Sequence, residues 1–272
     1  MDLPKPKHLA PKYGSQFSDP SVVSAYRFRP PYPDEVYGLF EGLIVDTPRI
    51  VLELGCGLGE MTRCLAARVE RVDAVDPSHA MLAMARTLPG GAHRHVHWFC
   101  CKAEDFAYGP EYALVIAAES LHWMDWQRVL PAVRASLSPS GRLAIILGRR
   151  LDTVPWWDAL HPLIPLYSTN RDFKPYDLLE ELARRHLFQL EGRATTTPVP
   201  FSQSVDAYIE SWHSRNGFSR DRMGTWRAVA FDERIRDIIT PYAHEGFLRY
   251  DIQVEVAWGV PDGRQPRSGN VE

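Results

Sequence analysis

A histidine lies between two tryptophans in the segment AESLHWMDW at residues 118–126. The segment follows the apolar run YALVIAA at 112–118, which predicts a buried strand ending just before the histidine. An unperturbed imidazole has a pKa of about 6.5, so His122 is suited to removing a proton near neutral pH. The alternative is a hydrogen-bonded packing residue between Trp123 and Trp126, and the segment alone does not separate the two roles.

Two carboxylates, Glu119 and Asp125, flank this histidine in the sequence. Either one could orient the imidazole, or be a helix cap or a solvated loop charge. Asp125 directly precedes the amphipathic stretch WQRVLPAVRASL at 126–137, and we expect it to be the N-cap of that helix.

A glycine-rich turn at residues 53–59, ELGCGLG, is the most informative stretch of the chain. It follows an apolar strand and precedes a helical segment, which is where open α/β sheets bind their ligands. A dinucleotide fingerprint would need its third glycine at position 60, but that residue is Glu60. A carboxylate there would repel a pyrophosphate, and Glu53 adds a second acid. The turn therefore favours a ligand with cationic groups, such as an ammonium beside a sulfonium.

A second acid, Asp76, ends the next predicted strand, 17 residues after Gly59. A carboxylate in this position can accept hydrogen bonds from both hydroxyls of a ribose. The alternative for Asp76-Pro77-Ser78 is a turn that caps the following helix. The neighbouring glycine turn makes ribose binding the favoured interpretation.

Alternating strands and helices are predicted to position these residues. The expected strands are RIVLELG (49–55), RVDAVD (71–76), HVHWFCC (95–101), YALVIAA (112–118) and RLAIILG (142–148). The helices between them are expected at 59–69, 77–88 with Pro77 in the first turn, and 126–137. Short apolar strands separated by amphipathic helices predict a doubly wound parallel sheet.

The pattern changes after residue 150, where helical stretches precede a long alternating segment, LRYDIQVEVAWGV at 248–260. We expect a helical cover inserted after the fifth strand, followed by completion of the sheet. The predicted organisation is a flexible tail (1–16), a core (17–150), the cover with sheet completion (151–247), a last strand (248–260) and a flexible C-terminal tail (261–272).

The composition argues against several classes of protein. With 272 residues, 45% hydrophobic and 24% charged residues and a net charge of −3, the chain has no basic field for nucleic acid or anionic membranes. Four cysteines, none spaced as C-x-x-C, argue against a zinc site and a disulfide framework. No signal peptide and no apolar run of 18 residues is found, so we expect a soluble, cytoplasmic protein without a metal.

The glycine turn at 53–59, Asp76 and Ala103-Glu104-Asp105 together resemble the cofactor-binding series of class I S-adenosylmethionine-dependent methyltransferases. A finer resemblance is to the branch that includes the trans-aconitate methyltransferase type, through YRFRPPYP (26–33), SLHWMD (120–125) and RASLSPSG (134–141). The sequence departs from the pattern of this branch at two places. The segment at 26–33 is one residue shorter, and Met124 replaces the usual phenylalanine. The resemblance covers about residues 17–150.

This resemblance implies S-adenosyl-L-methionine as the cofactor and a Rossmann-like, mostly parallel sheet of seven strands, the last antiparallel, with helices on both faces. The glycines would pack against the methionine part, Glu53 would lie near its ammonium, and Asp76 would hold the ribose. Arg29 would pair with the cofactor carboxylate, although it could also be a solvated surface residue. The full set of predicted cofactor-binding residues is Tyr26, Arg29, Glu53, Gly55, Cys56, Gly57, Gly59, Asp76, Pro77, Ser78, Met81, Ala103, Glu104, Ala118 and Glu119.

His122 is the candidate catalytic residue, because the loop after the fourth strand faces the transferable methyl group in such folds. A base is needed only for a hydroxyl or ammonium acceptor, and alignment alone can contribute roughly 7–11 kcal/mol. Most aromatic residues of the cover are expected to be core, with a subset lining an apolar acceptor pocket. Possible polar anchors are His161, Arg171, His213 and Arg215; a carboxylate acceptor would need clustered arginines, for which Arg29, Arg149, Arg150 and Arg171 are candidates.

The main hypothesis is therefore an S-adenosylmethionine-dependent methyltransferase (EC 2.1.1.-). We expect it to methylate an oxygen or nitrogen of a small molecule, for instance in secondary metabolism. Two alternatives are a cofactor-binding enzyme that catalyses a cyclisation or rearrangement, and a non-catalytic cofactor-binding module. Nucleic-acid methylation is disfavoured because Ala118-Glu119-Ser120-Leu121 replaces the [DN]PP[YF] turn. The expected partner is a small-molecule acceptor, and the expected state is a monomer or homodimer.

Overall fold

A mostly parallel seven-stranded sheet lies at the centre of the molecule, seen in a computed structural model that describes residues 4–109, 111–149 and 153–262. The strands are β1 (Ile50–Leu54), β2 (Arg71–Val75), β3 (Val96–Phe99), β4 (Tyr112–Ala118), β5 (Leu137–Arg149), β6 (Phe188–Thr195), β7 (Val199–Ser204), β8 (Phe247–Ile252) and β9 (Val254–Pro261). The main sheet has the order β3-β2-β1-β4-β5-β9-β6, and β7 and β8 form a separate two-stranded sheet.

The first five strands are mutually parallel, whereas β9 is antiparallel to both of its neighbours, β5 and β6. This confirms the predicted doubly wound sheet of seven strands with an antiparallel last strand. β1, β2 and β4 are buried along almost their whole length, as expected for strands covered on both faces.

The helices cover both faces of this sheet and build the outer layer. They are α1 (Pro11–Gly14), α2 (Pro20–Ala25), α3 (Asp34–Leu43), α4 (Glu60–Leu65), α5 (His79–Thr87), α6 (Trp126–Ser136), α7 (Trp157–Leu160), α8 (Leu163–Tyr167), α9 (Leu178–Arg184), α10 (Val205–Trp212), α11 (Arg220–Met223) and α12 (Thr225–Ile239).

Side-chain caps set four of the described helix starts, those of α5, α6, α9 and α10. The carboxylate of Asp125 accepts the N–H of Gln127 at 3.1 Å, which confirms Asp125 as the N-cap of α6. In α5 the cap is Ser78, whose hydroxyl accepts the N–H of Met81 at 3.3 Å. Pro77 therefore precedes the cap and lies outside the helix, so its predicted place in the first turn is wrong.

The cover has a hydrophobic core of its own, formed by α7, α8, α10, α11, α12 and β8, with Trp156 and Phe231 fully buried in it. It comes from two insertions, one between β5 and β6 and one between β6 and β9. By contrast, α9 contributes to the core of the main sheet through Leu178, Leu179 and Leu182. The predicted cover is thus confirmed in kind, but it is assembled on both sides of β6.

Two further local predictions differ from the structure. The alternating segment 248–260 is two strands, because Gln253 separates β8, which pairs with β7, from β9, which belongs to the main sheet. β3 ends at Phe99, so Cys100 and Cys101 follow the strand.

The described part of the predicted N-terminal tail, residues 4–16, is also folded, and its His8, Leu9 and Gln16 are buried against other parts of the chain. The local amino-acid composition of this segment did not indicate that it packs against the rest of the chain. Most of the predicted C-terminal tail lies outside the described residues. Among the described helices, we find none that is both long enough and apolar enough to span a bilayer.

Candidate active site

The glycine turn is fastened to the end of β2. The N–H groups of Gly55 and Cys56 both donate to the carbonyl of Val75, at 2.8 and 3.0 Å. The N–H of Gly57 donates to Oδ2 of Asp76 at 2.8 Å, and Oδ1 of the same carboxylate accepts the N–H of Ser78. Asp76 thus links the turn to the start of α5, as the predicted capping turn requires, while carboxylate lone pairs remain for further hydrogen bonds.

The glycine at position 59 is required by both backbone and space. Its φ is +68°, in the left-handed region, and a Cβ there would overlap the indole of Trp98. Gly55 has a φ of +71°, and a Cβ there would lie 2.6 Å from Cβ of Ser120. Packing within the protein therefore accounts for these two glycines, and their predicted contact with a cofactor stays a prediction.

Glu53 is a buried carboxylate near the end of β1. Its Oε2 accepts hydrogen bonds from the N–H of Thr62, at 2.9 Å, and from the Thr62 hydroxyl. Burial raises the pKa of Glu53 to about 8, although the hydrogen bonds from Thr62 oppose the shift. A cation placed beside this carboxyl group would therefore favour its ionisation.

A cavity of about 280 Å³ opens beside the turn, close to the lower end of the range for small-molecule sites. Residues of the turn and of β1 form one wall, and the N-terminal segment and the end of β5 form the other. Among its lining residues are Tyr26, Arg29, Glu53, Gly55, Cys56, Leu58, Glu60, Ala118 and Arg149. Six of the predicted cofactor-binding residues therefore line the same cavity: Tyr26, Arg29, Glu53, Gly55, Cys56 and Ala118.

A buried ion network closes the far side of this cavity. Arg149, at the end of β5, pairs with Glu119, which follows β4, and donates to Glu60 at 3.1 Å. Its guanidinium also lies 3.8 Å from the ring centroid of Tyr32, whose hydroxyl donates to Glu119 at 2.9 Å. Burial by itself would raise the pKa of Glu119, but Arg149 and Arg29 lower it to about 2, so this carboxylate is ionised.

Arg29 is a partly buried bridge between the N-terminal segment and the cover. Its guanidinium donates to the hydroxyl of Ser214 at 2.9 Å and to the Ser214 carbonyl at 2.8 Å. It also lies 4.1 Å from the ring centroid of Tyr26 and 4.0 Å from Glu119. The alternative of a solvated surface residue is therefore wrong, while pairing with a cofactor carboxylate stays a prediction.

The remaining predicted cofactor residues lie along the ends of β2 and β3. Met81 is buried with Val22, Val23 and Leu58, so that α2 packs over the turn. Ala103 is buried in a short 3-10 turn after β3, and Oε1 of Glu104 accepts the N–H of Asp125 at 2.6 Å. This last bond joins the turn after β3 to the loop that carries His122.

His122 lies in a 3-10 turn, Leu121–Trp123, directly after β4, with its ring centroid 4.7 Å from that of Trp123. Within the described ranges its imidazole makes no hydrogen bond. Loss of solvation lowers the pKa of His122 to about 4, against the opposing effect of Glu119. The charges of Lys5 and Arg29 lower the pKa further, so the imidazole is neutral at pH 7.

The predicted polar anchors of the cover are not brought together. His213 is fully buried, with Nε2 2.6 Å from Oδ1 of Asp232 and Nδ1 2.7 Å from the carbonyl oxygen of Phe218, which is a structural role. Arg171 is exposed and donates to the carbonyl of Pro165. Arg215 differs from both, because it lies close to the buried charges around Glu119.

Sequence reasoning missed the pairing of Glu119 with Arg149 and the parts played by Glu60 and Tyr32. One signal was available: Glu119 and Arg149 stand at the carboxyl ends of β4 and β5, which are adjacent and parallel. Such ends meet at the same edge of a sheet, so opposite charges there are expected to be near each other.

Residues 51–141 match the family model of the methyltransferase domain. The chain is 28% identical over 195 residues to an uncharacterised methyltransferase-like protein of Schizosaccharomyces pombe, a match covering 70% of this chain and 73% of that protein. It is 34% identical over 146 residues to an uncharacterised methyltransferase of Mycobacterium tuberculosis, covering 53% of this chain. That match spans only 57% of the mycobacterial protein.

The fold is similar to a solved structure from Anaeromyxobacter dehalogenans, described as a type II methyltransferase, with a TM-score of 0.56. The likeness covers 87% of this chain and 97% of that chain at 24% sequence identity, and it bears on the fold alone.

Proposed function

We propose that this chain, whose residues 51–141 match the methyltransferase domain, is a class I S-adenosylmethionine-dependent methyltransferase that transfers the cofactor's methyl group to a small organic acceptor. The observation that carries this proposal is the cavity shared by the glycine turn and the N-terminal segment, which joins Glu53 and Gly55 to Tyr26 and Arg29.

The residues around this cavity fit S-adenosylmethionine. The cofactor carries a cationic sulfonium and ammonium, and Glu53 is a buried carboxyl group with a raised pKa and no cationic partner among the described residues. Asp76 is not among the residues that line the cavity, but it holds the glycine turn and retains acceptor capacity for ribose hydroxyls beside the backbone N–H groups that it binds. Arg29, which does line the cavity, offers a guanidinium for a carboxylate.

When bound, the cofactor supplies an electrophilic methyl group on a good leaving group. The work left to the protein is to align the acceptor, exclude water and, for a protonated acceptor, remove a proton. The N-terminal segment supports water exclusion, because Lys5 donates to the carbonyl of Met124 at 2.7 Å above the loop of His122. His122, neutral above pH 5, is the group available to accept a proton or a hydrogen bond from the acceptor.

The enclosure of this space favours a small molecule over a macromolecular acceptor. The N-terminal segment, which lines the cavity through Tyr26 and Arg29, is bonded to the cover. The N–H of Gly217 in the cover donates to the side chain of Gln16, and the side chain of Asn170 donates to the carbonyl of His8. A protein or nucleic-acid acceptor would need an open channel between these segments.

The test is incubation of the full chain with methyl-labelled S-adenosylmethionine and a cell extract split into small molecules and macromolecules. We expect S-adenosylhomocysteine to form together with a labelled small molecule. Asp76→Ala should strongly reduce the label transfer, whereas Asp206→Ala, at an exposed acid of the cover, should not. Label confined to macromolecules, or cofactor consumption without a labelled product, would refute the proposal.

A further inference from the structure

Arg215, at the end of α10, has a guanidinium without an ionic partner among the described residues. Its Nε is buried and lacks a hydrogen-bond partner within those ranges, and the side chain stacks on Trp212 at 5.0 Å from the ring centroid. Two other arginines close to Glu119 do have partners: Arg149 binds Glu119 and Glu60, and Arg29 donates twice to Ser214.

The charge balance of this space is uneven. Three guanidinium groups, those of Arg29, Arg149 and Arg215, face two carboxylates, Glu119 and Glu60, and Arg149 already engages both. Loss of solvation and the neighbouring charge of Arg29 together lower the pKa of Arg215 to about 10, against the opposing effect of Glu119. A guanidinium with this pKa still carries its charge at pH 7, in a place where an unpaired charge is costly.

We propose that Arg215 binds an anionic group of the acceptor, a carboxylate or a phosphate. This inference rests on the proposed function and adds the chemical class of the acceptor. An Arg side chain that is only partly exposed and has free N–H donors is suited to bidentate recognition of such groups.

The position of Arg215 favours the acceptor over the cofactor as the source of the anion. Arg215 belongs to the cover, outside the matched methyltransferase domain at 51–141, and it is not among the residues lining the cavity at the glycine turn. Its neighbour in the chain, Ser214, is the residue of the cover to which Arg29 donates.

The test is calorimetric titration of the full chain, with and without saturating S-adenosylhomocysteine, using benzoate and phenyl phosphate as anionic probes and benzamide as the neutral match. We expect at least one anion to bind more tightly than benzamide. Arg215→Gln should weaken its binding about ten- to hundred-fold, and Arg215→Lys should retain part of it. The anion that binds more tightly identifies carboxylate or phosphate as the group.

Arg234→Gln is the matched control, since Arg234 is an exposed arginine of α12 in the same cover. It should leave anion binding unchanged, and neither variant should alter S-adenosylhomocysteine affinity. Arg215→Gln should not lower the melting temperature, because no pairing of the guanidinium is lost and a costly unpaired charge is removed.

Three results would overturn the inference: no preference for either anion over benzamide, unchanged anion binding in Arg215→Gln, or a loss of S-adenosylhomocysteine affinity in that variant with anion binding intact. The last result would assign the anion to the cofactor. If S-adenosylhomocysteine fails to bind the wild type, the proposed function fails instead, and the titrations without it still test Arg215.

Discussion

The ionisation of single residues at this site depends on how far the fold removes them from water and on the charges beside them. Burial raises the pKa of the carboxyl group of Glu53 and lowers that of the imidazole of His122, so both groups favour their neutral forms. Glu119 is the exception, because Arg149 and Arg29 outweigh the effect of its burial. The neighbours of each group, rather than its residue type, therefore decide its charge at pH 7.

His122 is expected to stay neutral throughout the physiological range. With a folded-state pKa of about 4 against an ordinary value of 6.5, it contributes stability that is complete above pH 6.5 and is lost as the pH falls toward 4. Titration of the histidine signals by NMR should show one imidazole, absent in His122→Gln, with no midpoint above pH 5.

The same variant separates the two roles of His122 in turnover. If His122 accepts a proton during the reaction, His122→Gln should lower kcat about 10²-fold or more and leave the cofactor affinity unchanged. A wall residue would shift mainly the KM for the acceptor. An imidazole midpoint near 6.5 would contradict the surroundings described for His122.

At the scale of elements, the site depends on joints between the ends of neighbouring strands. The glycine turn is fastened to β2 by Asp76 and the carbonyl of Val75, and the ends of β4 and β5 are joined by Glu119 and Arg149. Each of these connections depends on a particular backbone conformation or ion pair, and a single substitution can remove it.

Gly59→Ala is expected to destabilise the protein more than an ordinary glycine substitution. The left-handed backbone costs about 1–3 kcal/mol for a residue with a Cβ, and the overlap with Trp98 adds to this. Gly38→Ala is the matched control, since Gly38 lies in α3 with open space around it, and it should be neutral or stabilising by up to about 1 kcal/mol. Urea unfolding measures both, and equal stabilities would refute the stated role of Gly59.

Arg149→Met is expected to cost about 3–5 kcal/mol, because it leaves Glu119 and Glu60 buried without their cation. The pKa of Glu119 would rise, so the stability that its ionisation contributes above pH 4.5 would be lost. Adding Glu119→Gln to Arg149→Met should recover part of the loss.

Arg142→Met provides the comparison for Arg149. Arg142 pairs with Glu191 at 2.7 Å nearer the surface, so its loss should cost less than about 1 kcal/mol. Thermal unfolding at pH 7 measures these variants, and a similar cost for the two arginines would contradict the buried network.

At the scale of the whole molecule, the site lies where three separately packed regions meet. The sheet carries the glycine turn, the cover has its own core around Trp156 and Phe231, and the N-terminal segment is bonded to both. No single region forms the walls alone.

This organisation explains which features the sequence could predict. The parallel strands, the glycine turn and the cap at Asp125 are encoded by neighbouring residues, and the structure contains all of them. The pairing of Arg149 with Glu119, the fold of residues 4–16 and the division at Gln253 depend on contacts between distant segments. Local patterns carry no information on such contacts.

The central claim is that the glycine turn and Asp76 hold S-adenosylmethionine, and calorimetric titration of the full chain with S-adenosylhomocysteine tests it most directly. We expect binding at one site per chain, weakened about ten- to hundred-fold in Asp76→Asn and in Asp76→Ala. Asp206→Ala should bind like the wild type. Undiminished affinity in both Asp76 variants, with the fold intact by thermal unfolding, would contradict the account.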